Sequence, residues 1–206
     1  MKKIVFVTLM MADDMHKRHF PVEGNSFIEY PGEVYYAENA VLAKTMQADD
    51  DIKIILLHTN AGDKAGSKNA KLFKTELNEL NTVGAKISFE EIEAEYVVSK
   101  NQFKTLYKKL IKYLEKDVEL SADITFGPKS LPLLIFSTLQ FGEKFFNCSI
   151  GNVVYQKIEM KGGKPVEGTQ LLCDYTPLYL LNSFTNTIES SSGENAIAAV
   201  EALFED

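Results

Sequence analysis

The sequence predicts an α/β fold in which a mainly parallel sheet carries helices on both faces. Two observations predict it. Four apolar segments rich in β-branched residues alternate with four segments of helical character, and parallel strands need a crossover connection that is usually a helix. The chain has 206 residues, of which 45% are apolar, and this is the size and composition of one ordinary domain. A hairpin and two short helices follow the alternating part, so we expect an antiparallel hairpin to extend one edge of the sheet.

The strands are predicted from short apolar runs. The first, K-I-V-F-V-T-L at 3–9, is typical of a parallel strand that is covered on both faces. Similar runs predict strands over 51–58, 85–92 and 118–125, and the later part of the chain predicts an extended segment over 145–159 with a hairpin turn at 161–164.

Helices are predicted where apolar residues recur every three or four positions. The clearest begins at Ser99 and continues to Leu114. The others run over 33–47, from an N-cap at Ser67 to Gly84, over 131–141, and near 177–187 and 194–204. We therefore predict one domain over 1–175 and a helical extension of that domain over 176–206. The segment 10–32 is too long for a tight turn and is interpreted as a functional loop.

Charge and cysteine content exclude several classes of protein. The 22 basic and 29 acidic side chains leave a net charge of −7, which repels DNA and anionic membranes at long range. A polyanionic ligand must therefore meet a local positive pocket. Cys148 and Cys173 cannot form a disulfide framework and have no zinc-site spacing, so we expect a reducing, cytoplasmic location. No apolar run reaches the ~20 residues that a membrane-spanning helix needs.

Common catalytic and cofactor motifs are absent. Nothing after the first strand matches the G-x-G-x-x-G fingerprint, and no nucleophile elbow or triad spacing is found. The loop residues Asp13, Asp14, His16 and His19 could form a metal cluster, but they equally fit a solvated loop. His58, at the end of a predicted strand, is interpreted as a hydrogen-bonded core or edge histidine.

The informative segment is A-D-I-T-F-G-P-K-S-L-P at 122–132, where a buried strand meets a glycine turn and then a helix. Pro132 suits a first helical turn, because its missing N–H would have no partner there. The N–H groups near Lys129 to Leu131 then lie at a helix N-terminus, which attracts anions. Gly127 allows close approach to the backbone, and Lys129 adds a charge suited to phosphate. The segment predicts a phosphate-sized anion site; the alternative is a plain strand-turn-helix junction with a solvated lysine.

This segment, after K-K-I-V-F-V-T-L at 2–9 and A-E-N-A-V-L-A-K-T-M at 37–46, resembles the CRISPR-associated Rossmann fold (CARF) family, the sensor domains of type III CRISPR antiviral defence. The resemblance spans about residues 1 to 175 and implies a Rossmann-like, CARF-type ligand-binding domain. Members of the family are homodimers that bind a cyclic oligoadenylate across their twofold axis. By that resemblance two motifs contact the ligand, and their residues are Thr8, Leu9 and Met10 in the first and Thr125, Phe126, Gly127, Pro128, Lys129 and Ser130 in the second.

The sequence departs from the family pattern in two places. Related members often have a small polar residue or histidine where this chain has Phe126. The loop after the first motif is long and carries Asp13 and Asp14, and acidic groups are unfavourable beside a ring of phosphates. We therefore expect that loop to fold away from the ligand or to act as a lid.

The resemblance implies two biochemical possibilities, because some members only sense the ring, most simply cyclic tetra-adenylate, and others also cut it. Cutting needs no metal or cofactor, since a ribose 2′-OH attacks the adjacent phosphodiester. Lys129 would then stabilise the developing negative charge, and Thr8 would position the ribose or phosphate. An effector, fused or separate, is a further expected partner. The alternative is an α/β enzyme acting on a nucleotide or phosphate, unrelated to CRISPR, with metal held by the Asp13 and His16 loop.

A homodimer is also indicated by the residues themselves. The helix predicted over 131–141 is apolar around most of its circumference, and one sheet face cannot cover all of it. A second copy of the chain is the simplest cover. The apolar residues concerned are Leu131, Leu133, Leu134, Ile135, Phe136, Leu139 and Phe141.

Overall fold

The computed structural model describes residues 1–9, 15–58, 65–93, 99–162, 164–187 and 192–202. The chain divides into two compact units, Met1–Thr176 and Pro177–Asp206. Within the described ranges, no helix combines the length and the apolar character that crossing a bilayer would require.

In the described ranges, nine strands form two sheets. In chain order they are β1 (Lys2–Thr8), β2 (Val22–Glu23), β3 (Asp51–His58), β4 (Lys86–Glu93), β5 (Glu119–Asp123), β6 (Ser149–Lys157), β7 (Met160–Lys161), β8 (Lys164–Pro165) and β9 (Leu171–Asp174). The main sheet has seven of them, in the order β2-β9-β6-β5-β1-β3-β4, and five neighbouring strands, β6, β5, β1, β3 and β4, are parallel. The predicted α/β fold with a mainly parallel, Rossmann-like sheet is confirmed.

The described residues also form six α-helices and one short 3-10 helix at Ser26–Ile28. The α-helices are α1 (Ala37–Thr45), α2 (Ala65–Leu80), α3 (Lys100–Ile111), α4 (Ser130–Phe146), α5 (Thr176–Thr187) and α6 (Gly193–Ala202). Helix α5 begins at the end of the first compact unit, and α6 lies in the second.

Helices cover both faces of the sheet. Val5 packs in one buried cluster with Phe73 of α2, so α1 and α2 lie on the Val5 face. Val5 is the register partner of Ser121, and the preceding residue, Leu120, therefore points to the opposite face. There, a Cβ on Gly142 of α4 would meet the Cδ1 atom of Leu120 at 2.5 Å. The close approach of α4 to this face requires glycine at that position.

Two predicted helix starts are wrong, and one is confirmed. Helix α1 begins at Ala37 and not at residue 33, because Val34 pairs its backbone with Arg18 in an isolated antiparallel bridge. Helix α2 begins at Ala65, so Ser67 lies inside it and is not its N-cap. The start predicted at Ser99 is confirmed, since α3 begins at Lys100 with Ser99 as its N-cap, in a capping box with Gln102.

The ends of the later elements also differ from the prediction. Helix α4 continues to Phe146, so residues 145 and 146 are helical and not extended. The hairpin predicted around 161–164 forms, but β7 and β8 make a separate two-stranded sheet. The main sheet is extended instead by β9, which is antiparallel to β6, and by β2 beyond it.

The N-terminus of α1 is capped by a side chain from another helix. Glu76 of α2 is 4% exposed, and its carboxylate accepts hydrogen bonds from the backbone N–H groups of Tyr35 (2.8 Å) and Tyr36 (3.3 Å) and from the Asn39 side-chain amide (2.9 Å). These contacts satisfy N–H groups at the helix start that have no partner within the helix. They also fix where α1 begins.

We expect Glu76→Ala to lower the free energy of unfolding by about 3 kcal/mol, because three buried donors lose their acceptor. Glu79→Ala, on the exposed side of the same helix, should change it by less than about 0.5 kcal/mol. Urea denaturation of both variants measures the difference. Equal stability of the two would contradict the capping role.

Candidate functional site

The sheet has a switch point between β1 and β5. These strands are parallel neighbours, and the helices that follow them lead in opposite directions, through α1 to β3 on one side and through α4 to β6 on the other. In open parallel sheets ligands bind at the carboxyl ends of the strands beside such a point. Here those ends are Thr8–Leu9, which belong to the first predicted ligand motif, and Asp123–Ile124, which directly precede the second.

The hydroxyl group of Thr8 joins the two motifs. It donates a hydrogen bond to the backbone oxygen of Asp123 (3.1 Å) and accepts one from the backbone N–H of Phe126 (2.9 Å). Thr8 is fully buried. The end of β1 therefore holds the turn that follows β5, and the one hydroxyl hydrogen of Thr8 is used within the protein.

Two further hydrogen bonds fix the same turn. Oδ1 of Asp123 accepts from the backbone N–H of Thr125 at 2.8 Å, which is an Asx-turn. Oγ1 of Thr125 accepts from the backbone N–H of Gln156 on β6 at 2.8 Å. The turn is thus tied to both strands that flank β5.

Gly127 lies at the exposed tip of the turn. Its φ of +93° favours glycine, and a Cβ there would approach Cδ2 of Leu131 to 3.1 Å. The backbone N–H of Leu131 donates to the Pro128 oxygen at 2.8 Å, so it is already used within the turn. The backbone N–H of Leu131, which was predicted to bind an anion, is therefore not available to do so.

Lys129 is the N-cap residue of α4, a helix of 17 residues, and its side chain is exposed. Pro132 lies in the first turn of this helix, as predicted. No ion pair joins Lys129 to a carboxylate among the residues that the structure describes. The positive end of the α4 dipole and a lysine charge therefore coincide at the switch point.

The other predicted ligand residues differ in exposure. Thr125, Pro128 and Ser130 are half-buried. Phe126 is also half-buried and packs against the core cluster on the Val5 face, so its ring is partly covered by the protein. Leu9 is 2% exposed, and Met10 lies outside the described residues.

Two carboxyl groups that the sequence did not single out are buried beneath the turn. Asp123 is 1% exposed, and burial raises its pKa to about 6. Glu38, in the first turn of α1, is 0% exposed; burial, together with the charge of Asp123, raises its pKa well above the usual value. Glu38 is the second residue of α1. An acidic side chain at this position is usually exposed and interacts favourably with the helix dipole, so the sequence gives no sign that Glu38 is buried.

The metal interpretation receives no support from the described residues. They contain no group of three or more His, Cys, Asp or Glu side chains placed to hold a metal ion. Asp13 and Asp14 lie outside them, and His19 lies 3.5 Å (Nε2) from Oε1 of Glu29. His58 is 7% exposed, and its Nε2 lies 3.3 Å from Oε2 of Glu91. Its buried Nδ1 has no hydrogen-bond partner among the described residues. The predicted hydrogen-bonded histidine is therefore confirmed for one of its two nitrogens.

Comparison of the chain with models of protein families and with curated proteins finds no match.

We expect Asp123→Asn to stabilise the protein at neutral pH. A carboxyl group whose folded-state pKa is raised from 3.8 to about 6 favours the folded state while it is protonated, and that contribution is lost as the pH rises through about 6. Asparagine keeps an acceptor for the N–H of Thr125 and cannot ionise. The free energy of unfolding at about pH 8 should rise by up to about 3 kcal/mol.

Thermal or urea unfolding of wild type and Asp123→Asn between about pH 4 and pH 8 measures this effect. Asp49→Asn is the control, because the Asp49 side chain is 87% exposed. A pH profile of Asp123→Asn that runs parallel to that of the wild type would show that Asp123 is ionised throughout.

Proposed function

We propose that this chain is a CARF-type sensor domain that binds a cyclic oligoadenylate, most simply cyclic tetra-adenylate, in type III CRISPR antiviral defence. One observation carries the proposal: the buried hydroxyl of Thr8 joins the end of β1 to the D-I-T-F-G-P-K turn at the switch point of the sheet. These are two of the three segments on which the resemblance to the family rests. They are far apart in the sequence and adjacent in the fold.

The local charge of the site supports a phosphate ligand. The chain has a net charge of −7, so long-range attraction cannot bring a polyanion to it. The local charge at the start of α4 is positive, in contrast to the net charge of the chain, because Lys129 and the helix N-terminus lie together at an exposed turn. A ring of phosphates would contact this point through the lysine charge and the positive end of the α4 dipole.

A homodimer would complete the site. Leu131, Ile135 and Leu139 of α4 are buried within the chain, but Leu133 is 68% exposed. A groove of about 360 Å³ lies beside them between α3 and α4, lined by Phe103, Lys104, Tyr107, Leu134 and Ser137. If a second copy covers this face, two α4 N-termini face one another, which suits a ligand with twofold symmetry.

The same site is suited to cut the ring. In that reaction the ribose 2′-oxygen bonds to the adjacent phosphorus, the bond from phosphorus to the 5′-oxygen breaks, and the 2′-OH proton passes to the leaving oxygen. The product has a 2′,3′-cyclic phosphate. Lys129 would stabilise the charge that develops on the phosphate oxygens. Thr8 would act by positioning the turn, since both functions of its hydroxyl are used within the protein.

An effector, fused to this domain or separate from it, would respond to the bound ring, and the site of action would be the cytoplasm. The alternative function is an α/β enzyme that uses another nucleotide or phosphate. Both functions use the turn at Gly127, and they differ in the ligand that binds there. Binding of cyclic tetra- or hexa-adenylate, compared with binding of a mononucleotide or inorganic phosphate, distinguishes the two functions.

We expect Lys129→Ala to abolish binding of cyclic tetra-adenylate, because the variant loses the one side-chain charge at the start of α4. Isothermal titration calorimetry measures the affinity, and sedimentation velocity checks that the oligomeric state is unchanged. Lys144→Ala is the matched control, an exposed lysine near the other end of the same helix. Unchanged affinity of Lys129→Ala would place the ligand elsewhere.

We expect purified protein to retain any ring-cutting activity in EDTA, because the proposed reaction uses no metal. Cyclic tetra- and hexa-adenylate are incubated with the protein, and linear products are resolved by chromatography. Tight binding without products would identify a sensor only. Failure to bind either ring, with binding of a mononucleotide or inorganic phosphate, would favour the alternative enzyme.

A further inference from the structure

Two buried carboxyl groups, Glu38 and Asp123, lie beneath the candidate anion site; we call them the carboxyl pair. Glu38 is 0% exposed, and neither of its carboxylate oxygens has a hydrogen-bond partner among the residues that the structure describes. Asp123 is 1% exposed and holds the N–H of Thr125. Asp123 is the register partner of Val7, which packs in one core cluster with Leu42 of α1, so Asp123 lies on the sheet face that α1 covers. Its charge is one cause of the raised pKa of Glu38.

The other titratable groups that act on this region are also acidic or neutral. Tyr36, at the start of α1, is buried, and its pKa is raised by burial, by Glu76 of α2 and by Asp123. The carboxylate of Glu76 is satisfied by three hydrogen bonds. Within the described part of the chain, no lysine, arginine or histidine is among the groups that shift the pKa of either member of the pair.

An ionised carboxylate is very unfavourable in the protein interior when it has neither a cation nor a hydrogen-bond donor beside it. Glu38 is in this position among the described residues, and the nearby charge of Asp123 makes its ionised form more unfavourable still, so Glu38 retains a proton instead. Burial raises the pKa of both Glu38 and Asp123. The charge of Asp123 is one cause of the raised pKa of Glu38, so ionisation of Asp123 favours a protonated Glu38.

The carboxyl pair is directly connected to the candidate site. Asp123 accepts the hydrogen bond that shapes the turn, and its backbone oxygen accepts the hydrogen bond from Thr8. A negative charge that appears on the pair therefore lies only a few residues from Gly127 and Lys129. It would repel a phosphate bound there.

We propose that the carboxyl pair is a proton-binding site linked to the anion site, so that binding of a phosphate ligand at the Gly127 turn is accompanied by uptake of a proton. This inference rests on the proposed function for the presence of an anion. The linkage is reciprocal: the ligand favours the protonated pair, and the protonated pair favours the ligand. A phosphodiester has no proton to exchange near neutral pH, so the uptake belongs to the protein.

The test is isothermal titration calorimetry of wild-type protein with cyclic tetra-adenylate in buffers of different ionisation enthalpy. We expect a fraction of a proton to be taken up near pH 7. The affinity should fall about tenfold between about pH 5.5 and pH 8. This is roughly the loss of affinity that follows from the Coulomb repulsion between one negative charge and an anion about 10 Å away, at an effective dielectric constant of about 20. The double variant Glu38→Gln/Asp123→Asn keeps the shape of the pair and should show neither the uptake nor the fall.

Glu90→Gln, a change of charge at an exposed position of β4, is the control and should behave as the wild type does. Equal proton uptake by the double variant and the wild type would overturn the proposal, as would a wild-type affinity that is independent of pH. Absence of ring binding by the wild type at every pH would remove the proposed function and the linkage together. In that case a carbon-13 titration of the Glu38 and Asp123 carboxyl groups, compared with the single variants, still decides whether the pair holds a proton above about pH 6.

Discussion

The two hydrogen bonds of the Thr8 hydroxyl are the constraint on which the candidate site depends. They join the last residue of β1 to the backbone on both sides of the turn after β5, at Asp123 and at Phe126. A hydroxyl group can donate and accept at the same time, and both bonds are made where water cannot replace them. The exposed part of the turn, from Gly127 to Lys129, is therefore placed by a residue that is itself inaccessible.

The electrostatic arrangement of the site is layered. Lys129 and the N-terminus of α4 present positive potential at the surface, whereas Glu38 and Asp123 lie in the interior below. An asparagine at 123 could accept the same hydrogen bond from Thr125, so the turn geometry alone does not require an acid there. An ionisable group adds a dependence on proton concentration that an amide cannot provide. This difference is the physical content of the linkage between the carboxyl pair and the anion site.

The sequence predicts the elements whose signals are local. The strand over 51–58 matches β3 to the residue, and the capping box at Ser99 begins α3, because both depend on neighbouring residues in the chain. The start of α1 was missed because it depends on Glu76, which is 41 positions from Tyr35. A charged residue on a helix is usually exposed, and only the packing of α1 against α2 shows that this one is not.

In the candidate site, too, the sequence predicts the features that depend on neighbouring residues and misses those that depend on other elements. The segment 122–132 and its glycine turn could be recognised from strand, turn and helix signals, and the order of the strands brings it to the end of β1. The two internal hydrogen bonds of the Thr8 hydroxyl could not be predicted, because they depend on how β1 and β5 pair in the sheet. Nor could the burial of Glu38 or the packing of Phe126 against the core, since each depends on a neighbouring element.

The anchoring of the turn from two sides bears on how a ligand would act through it. Thr8 holds it from β1, and the Gln156 backbone holds Thr125 from β6. A receptor that is already formed loses little conformational entropy when a ligand binds, so more of the interaction energy remains to change something else. Because this turn is fixed to the sheet, we infer that the structural response to an anion lies in the elements that continue from it. Helix α4 is the first of these, since it begins at Ser130 and exposes Leu133 one turn later.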